Sequence, residues 1–446
     1  MPSLRRAWPP VAAALMLLVS LLFADPAHAA EVAPHIEPGD VCWVLLCAAL
    51  VMLMTIPGLA LFYAGMVRKK NVLATMMQSF FICAMGTILW MVAGYSLAFG
   101  DGNGWIGDGS RLLLNGIAEG WDKPFILGAT TAAPLQTTIP ESVFVLFQMA
   151  FAIITPAVVT GAFADRMRFS AMIVFLSAWS LLVYAPLAHW VWAPAGWLSV
   201  MGVADFAGGT VVEINAGVTG LVCALVLGRR LGYQQENMAP WNLALAVTGA
   251  SLLWVGWFGF NAGGALAAGG RAAMAVMATQ MAAAGATVSW SVAEWLLRGK
   301  PSVLGAISGA VAGLVAITPA AGFVLPGPAL GIGLLAGAIC FWASTILKQR
   351  LGYDDSLDVF GVHGVGGIVG TLATGWFAYG ALTGGAYVGG TKLLSVQATA
   401  VGVTIVFSGL ASWALLVVTD RLIGLRVTRE EEREGLDIAL HGEQVF

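Results

Sequence analysis

The chain alternates between long apolar segments and short polar connections. Eleven of the apolar segments are close to the ~20 residues that a helix needs to cross the hydrocarbon core of a membrane. The predicted spans are 40–66, 72–99, 141–163, 169–188, 209–228, 242–264, 272–297, 302–319, 328–347, 361–380 and 397–420. The longest connection, 100–140, is rich in Gly, Asp and Asn and is predicted to be an ordered outer loop. The pattern predicts an all-α polytopic membrane protein.

The composition supports this class. The 446 residues are 59% hydrophobic and only 10% charged, whereas soluble domains are about 25% charged. The 17 Trp fit interfacial belts and the 56 Gly fit closely packed helices. This composition predicts contact with membrane lipid, and no nucleic-acid partner is expected.

The N-terminal residues have the form of a secretory signal peptide. Two arginines at 5–6 precede the apolar run 11–23, and a small-x-small site ends at Ala29. An uncleaved first helix is the alternative, for which the apolar run is short. The predicted domains are a signal peptide at 1–29, a membrane domain at 30–424 and a cytoplasmic tail at 425–446.

The basic residues indicate the orientation. Most of the 21 Lys and Arg lie in connections that a mature outer N-terminus places inside, for example "RKKN" at 68–71. The outer connections hold only Arg111, Lys123, Arg271 and Lys392. This follows the positive-inside rule. We therefore predict an N-out, C-in protein of a bacterial inner (cytoplasmic) membrane.

Two short matches indicate an internal repeat. The motif G-x-x-x-F-x-A-G occurs at 58–65 and at 256–263, where the first and sixth spans end. The second match consists of two Asp residues, each followed eight positions later by another titratable residue: Asp205 and Glu213 at the fifth span, Asp355 and His363 at the tenth. A repeat of five spans is odd in number, so the second half would be inverted. Many transporters have this 5+5 layout, with their working site near the midplane.

Glu213 and His363 are the candidate pore residues. A charged residue in mid-helix costs about 2.5–3.5 kcal/mol on insertion scales, so such residues usually line a path or interact with each other. Under the repeat, the two would face each other near the bilayer centre on a permeation route. The alternative is a neutral Glu213 that bonds to a neighbouring helix.

Other polar residues allow more ordinary interpretations. Asp205, at the outer start of a helix, is predicted to cap that helix or to attract cations. His189, at the end of the fourth span, is interpreted as structural. The cysteines lie in apolar segments with no CxxC and no Cys/His cluster, so no disulfide, metal site or other cofactor is predicted. They are Cys42, Cys47, Cys83, Cys223 and Cys340.

Six motifs are specific in combination. They are "ALFYAGMVRKKN" (60–71), "ADRMRFSA" (164–171), "DFAGGTVVEINAG" (205–217), "GWFGFNAG" (256–263), "DVFGVHGVGGIVG" (358–370) and "EREGLD" (432–437). With them, the chain from about Asp40 onward resembles the Amt/Mep/Rh family of ammonium transporters, specifically its bacterial Amt branch. The resemblance implies a transporter of nitrogen metabolism rather than an enzyme, and a homotrimer with one pore in each subunit.

The resemblance also implies roles for individual residues. Ammonium recruitment at the outer mouth would use Phe151, Trp192 and Asp205. The pore gate would be Phe151 and Phe260, the pore lining Trp257 and Tyr63, and the pore relay Glu213 and His363. The chain departs from the family pattern by one extra residue between Trp192 and Asp205 and at two single positions. Gly264 occupies a position that holds Ser in many members, and Glu213 replaces the first of two pore histidines, as in some fungal transporters.

The predicted mechanism begins with recruitment of ammonium and its deprotonation. Ammonia then crosses an apolar pore, and the proton follows separately. An ammonium sensor or transceptor and a neutral ammonia channel are the alternatives. A metal hydrolase is disfavoured, because a catalytic zinc site typically needs three protein ligands. The charged tail, 427–446, would by itself be interpreted as solvated, whereas the resemblance implies coupling between subunits and a response to a PII-type signal protein.

Overall fold

A computed structural model describes residues 35–445 of the chain, and the predicted signal peptide lies outside the described residues. These residues are mostly helical. The helices are α1 Pro38–Met66, α2 Lys69–Phe99, α3 Glu141–Phe163, α4 Phe169–Met201 (interrupted at 193–196), α5 Gly209–Leu227, α6 Leu243–Ala265, α7 Gly270–Arg298, α8 Val303–Ile317, α9 Pro326–Leu351, α10 360–377, α11 Thr391–Ile423, α12 Arg429–Glu434 and α13 Leu436–His441. The prediction of an all-helical membrane protein is confirmed.

Each predicted span is occupied by a helix. Among the described residues, nine helices are long and apolar enough to cross a membrane. The other two are α8, an apolar helix of 15 residues, and α10. Several helices extend beyond the predicted bounds: α11, for example, begins at Thr391 rather than 397. The number of crossings and the orientation stay predictions.

The long outer connection is ordered by small elements and by one buried histidine. It contains 3₁₀ turns at Leu112–Leu114 and Ile117–Gly120, and the antiparallel strands β1 (Ile126–Leu127) and β2 (Leu135–Gln136). His189 is fully buried beneath it. Its Nδ1 lies 2.9 Å from the carbonyl oxygen of Ala98, and its Nε2 lies 2.6 Å from that of Asn103. The side chain therefore joins α4 to the end of α2 and to the outer connection.

The C-terminal tail docks onto the ends of the membrane helices. The carboxylate of Asp437 accepts hydrogen bonds from the backbone N–H groups of Leu73 and Ala74, at 3.1 and 2.8 Å, near the start of α2. The Glu432 carboxylate accepts from the N–H of Leu231 at 2.7 Å. Asp437 and Glu432 are both 1% exposed. The described tail is therefore not the solvated segment that its charge alone suggests, because its acidic side chains have partners on the membrane domain.

A buried ion-pair network connects the loops at this end of the bundle. Arg230 binds the Asp354 carboxylate through two nitrogens, at 2.7 and 2.9 Å, and lies 3.6 Å from Asp165. Asp165 also accepts from Arg68 at 3.0 Å. Burial would raise the pKa of Asp354, but the Arg230 guanidinium outweighs burial and lowers it. The network holds the 352–359 segment that leads into α10.

We expect Arg230→Met to lower the thermal stability of the protein. Breaking a buried pair leaves an uncompensated charge, which destabilises by about 3–5 kcal/mol. A carboxyl whose pKa is lowered in the folded state stabilises the fold at pH values above its ordinary pKa of 3.8. This contribution is lost as the pH falls below 3.8 and through the lowered pKa. Melting of the purified protein at pH 7 and in stepwise acidified buffer should show a lower midpoint and a weaker acid dependence in the variant. Equal midpoints would contradict the prediction.

Candidate functional site

The centre of the site is the crossing of α5 and α10. A Cβ atom on Gly217 would lie 2.2 Å from the backbone nitrogen of Gly364, so the two backbones touch there. Only glycine permits this approach. Each helix contains a π-helical turn beside the crossing, at Gly209–Ile214 in α5 and at Phe360–Gly364 in α10. Such turns frequently occur at functional sites, and their matching positions are what the internal repeat predicts.

These turns bring Glu213 and His363 together. The Oε2 atom of Glu213 lies 2.7 Å from Nδ1 of His363. The side chains are 1% and 6% exposed, respectively. Among residues 35–445, no group of three His, Cys, Asp or Glu side chains could hold a metal ion. The buried Glu213 side chain therefore bonds directly to an imidazole across the repeat interface.

Asp205 caps the start of α5. Its Oδ1 atom accepts from the backbone N–H groups of Gly208 and Gly209, both at 2.7 Å. Its Oδ2 atom accepts from the N–H of Thr210 at 2.8 Å and from the Thr210 hydroxyl. A carboxylate at a helix N-terminus also complements the helix dipole. The capping role is thus built into the structure, while a role in attracting cations stays a prediction.

Aromatic side chains lie between the Glu213–His363 pair and a large cavity, which we call the outer vestibule after the predicted orientation. The rings of Phe151 and Trp192 are 5.8 Å apart, edge to face, and those of Phe151 and Phe260 are 4.4 Å apart. Trp192 donates from its indole nitrogen to the backbone oxygen of Asp205 at 3.1 Å. The residues predicted for recruitment therefore line one cavity, and Phe260 packs on Phe151 and lines the next one.

This outer vestibule has a volume of about 810 Å³. Its lining includes Phe147, Gln148, Phe151, Trp192, Asp205, Phe206, Gly264, Arg271, Phe323 and Tyr387. A Cβ on Gly264 would lie 2.6 Å from the backbone oxygen of Phe206. The backbone must therefore shift before a Ser could occupy position 264.

Two smaller cavities lie beside the Glu213–His363 pair. The narrow section has a volume of only about 10 Å³, and it is lined by Glu213, Trp257, Phe260, His363 and apolar side chains. An inner vestibule of about 150 Å³ follows, lined by Tyr63 and Asp358 among others. His363 lines both spaces. Three cavities thus lie around the predicted pore residues: the outer vestibule beside Phe151, a constriction beside the Glu213–His363 pair, and an inner vestibule that shares His363 with the constriction.

Hydrogen bonds fix the two aromatic residues predicted to line the pore. The Trp257 indole nitrogen donates to the Thr318 hydroxyl at 2.9 Å, and the Tyr63 hydroxyl donates to the backbone oxygen of Val158 at 2.9 Å. Their polar groups are turned to the protein, so their rings contribute apolar surface to the path. Tyr63 lies on the inner side of His363 and Trp257 on the outer side.

Sequence reasoning missed part of the lining. The constriction also contains ordinary aliphatic side chains that no motif distinguishes: Leu59, Ile154, Val158, Val212, Leu253 and Val311. The outer vestibule contains Arg271, which counted only as an outer-loop charge in the sequence. No signal in a single sequence identifies a Val that faces a pore. Arg271 could have been noticed, because it is a predicted outer Arg that follows the second F-x-A-G motif by eight residues.

The inner mouth carries a compact charged cluster. Lys348 donates to the Asp358 carboxylate at 2.7 Å and also to the backbone oxygen of Asp355. The carboxylate of Asp355 accepts from the N–H of Phe360 at 2.7 Å and so caps α10, as Asp205 caps α5. Burial raises the pKa of Asp355, against the opposing effect of the Lys348 ammonium. The two repeat-related aspartates therefore hold equivalent positions at the two pore helices.

Comparison with known proteins is consistent with this architecture. The chain matches the family model of the Ammonium Transporter Family over residues 42–446. It is 46% identical to an ammonium transporter of Bacillus subtilis, over 92% of this chain and 99% of that one. It is 44% identical to an ammonium transporter of Aquifex aeolicus, over 96% and 98% of the two chains.

Solved structures give the same result. The crystal structure of Saccharomyces cerevisiae Mep2 superposes with a TM-score of 0.80 at 34% identity, covering 89% of each chain. A structure described as a sensor Amt protein superposes with a TM-score of 0.82 at 29% identity, covering 90% of this chain and 98% of the other. The chain belongs to the ammonium transporter family.

Proposed function

We propose that this protein conducts ammonium nitrogen across a bacterial cytoplasmic membrane by removing a proton from ammonium and passing ammonia through the constriction. The observation that carries the proposal is the series of spaces described above, with a buried Glu213–His363 pair in a constriction of about 10 Å³. A hydrated cation does not fit such a space. The constriction is therefore suited to a small species that has lost its water.

Selectivity against potassium supports the deprotonation step. Potassium resembles ammonium in size and charge, so a site that only binds dehydrated cations discriminates poorly between them. Potassium has no proton to give, and a pore that admits only the neutral base excludes it. The aliphatic and aromatic lining of the constriction suits a neutral molecule, because a lone ion in an apolar environment is strongly disfavoured.

The proposed relay is the Glu213–His363 pair. The 2.7 Å contact between carboxylate oxygen and imidazole nitrogen is within the range for proton transfer. His363 also lines the inner vestibule, so a proton that it carries has an exit towards the inner mouth. If the proton crosses by this route while ammonia crosses by diffusion, net transport is electrogenic.

A carboxylate in the relay changes its electrostatics. Two imidazoles provide no fixed negative charge, whereas an ionised Glu213 does. Strongly interacting groups titrate as a pair, and the proton belongs to both. In this proposal Glu213 stabilises a cationic state deeper in the pore and sets the pH at which transport is fastest.

The assembly and the regulation belong to the same proposal. We infer a homotrimer with one pore in each subunit, as the family resemblance implies. We also infer that the docked tail responds to a PII-type signal protein. Since the tail contacts the start of α2 and the segment after α5, a partner that displaced it would act on helices of the pore domain.

Ammonium sensing is a second candidate function. It is favoured by the structural likeness to the sensor Amt protein, whose TM-score is as high as that of Mep2. A sensor requires ammonium binding but no conduction. Flux and current therefore distinguish the two functions.

The test is the current evoked by ammonium in proteoliposomes that contain the purified protein. We expect a saturable current with ammonium and none with potassium at the same concentration. A pH change inside the vesicles without current would indicate a neutral ammonia channel. Neither signal, with ammonium binding retained, would favour the sensor and contradict the proposed conduction.

A further inference from the structure

Arg271 places a positive charge inside the vestibule that is proposed to collect ammonium. It is the second residue of α7, and it is partly buried. Its side chain lines the same cavity as Trp192 and Asp205. A cation at this location works against the accumulation of another cation, so its presence needs a physical explanation.

The guanidinium of Arg271 lies over two aromatic faces. Its central carbon is 5.8 Å from the ring centroid of Phe206 and 5.3 Å from that of Phe323. Its Nε donates to the backbone oxygen of Gly322 at 3.3 Å. A planar guanidinium stacks well on aromatic rings, and a ring face attracts cations within about 6 Å of its centroid. The side chain thus occupies ring surface that an ammonium ion would otherwise find attractive.

The charge of Arg271 is not neutralised by an acidic side chain. Among residues 35–445, it has no Asp or Glu carboxylate within ion-pair distance. Asp205 lines the same vestibule, but both of its oxygens already bind the start of α5. Arg111, another outer arginine, is by contrast held by Glu141 at 2.8 Å. Arg271 therefore brings into the vestibule a positive charge that has no ion-pair partner, in the same cavity as the Asp205 carboxylate.

We propose that Arg271 sets the affinity of the outer vestibule for ammonium, by repelling monovalent cations and by covering the faces of Phe206 and Phe323. The proposal rests on the proposed function in that it takes ammonium as the ligand. Arg271 is then an affinity-determining residue and takes no part in proton transfer. Because like charges repel less when salt screens them, the effect of Arg271 depends on ionic strength.

The experiment measures ammonium binding and ammonium current in Arg271→Gln and Arg271→Lys. Binding is followed by titration calorimetry of the purified protein, and current in proteoliposomes, each at low and at physiological ionic strength. Gln removes the charge and Lys keeps it. Lys123→Gln is the matched control, since Lys123 is an exposed outer cation that does not line the vestibule.

We expect Arg271→Gln to lower the dissociation constant and the half-saturating concentration of ammonium about three- to tenfold at low salt, and less at physiological salt. Arg271→Lys should stay within about twofold of the unmodified protein, since the repulsion is retained. Lys123→Gln should change neither quantity. Arg271→Met provides a second neutral variant if the Gln variant does not fold.

Two results would overturn the inference. One is an unchanged or weakened affinity in both neutral variants. The other is an equal change of the ammonium affinity in the Lys variant and the neutral variants at every salt concentration. That result would mean that Arg271 only supports the packing of Phe206. Absent current together with the expected affinity shift would reject the proposed conduction and leave this inference supported. Normal current without an affinity shift would support the proposed conduction and overturn this inference.

Discussion

Replacing Glu213 with Gln is expected to reduce the ammonium current at least about tenfold, since positioned proton-transfer groups typically contribute about 10²–10⁴ in rate. Gln has nearly the same shape and keeps an oxygen that can accept from His363. It cannot ionise or carry a proton between sites. The measurement is the current per protein in proteoliposomes, with potassium as the control ion.

The matched control is Glu294→Gln. Glu294 is also a buried glutamate, 4% exposed, but it binds Ser302 and Arg298 at the end of α7 and does not line the constriction. A similar loss of current in both variants would show that removing any buried carboxylate damages the protein. An undiminished current in Glu213→Gln would leave Glu213 with a structural or sensing role.

Glu213→His provides a second test of the same residue. It creates the pair of histidines that the family resemblance implies for these positions, and it removes the fixed negative charge. If the carboxylate sets the electrostatics of the relay, the variant keeps some transport but changes the pH dependence of the current and the conductance. An unchanged pH profile together with unchanged conductance would contradict the proposed role of Glu213.

Asp205→Ala is expected to abolish the ammonium current at every tested concentration and to lower the thermal midpoint by a few degrees. The variant leaves the N–H groups of Gly208, Gly209 and Thr210 without their acceptor. Loss of a helix cap typically costs about 0.5–2 kcal/mol. The π-helical turn that carries Glu213 begins at Gly209, so a loosened start also displaces the relay. The measurements are the current and the melting of the purified protein.

Asp40→Ala is a suitable control for this prediction. Asp40 accepts from the N–H of Ala268 at 2.7 Å and from the Thr138 hydroxyl, but it does not line the outer vestibule. The Asp40→Ala variant should be less stable than the unmodified protein but should keep its ammonium current. If high ammonium concentrations restored current in Asp205→Ala, the residue would act mainly by attracting cations, and the expected loss at all concentrations would be wrong.

The sequence by itself determined the class of the protein and the identity of its central pair. Apolar segments of about 20 residues can satisfy their backbone polar groups in lipid only as helices, so the helical architecture follows from composition and length. Glu213 and His363 were identifiable because a titratable residue in an apolar span is disfavoured unless it has a function or a partner. The equal eight-residue spacing after Asp205 and Asp355 indicated which spans correspond.

Only the tertiary structure decided which atoms meet. The 2.7 Å contact between Glu213 and His363 depends on the backbone contact between Gly217 and Gly364, and a pair of glycines 147 positions apart carries no local signal for it. The docking of the charged tail likewise requires partners at the ends of α2 and α5. Arg271 was one of four outer basic residues in the sequence, and its place over Phe206 and Phe323 depends on how α7 packs against distant segments. Local pattern fixes which residues are helical and apolar, whereas long-range packing fixes which side chains share a cavity.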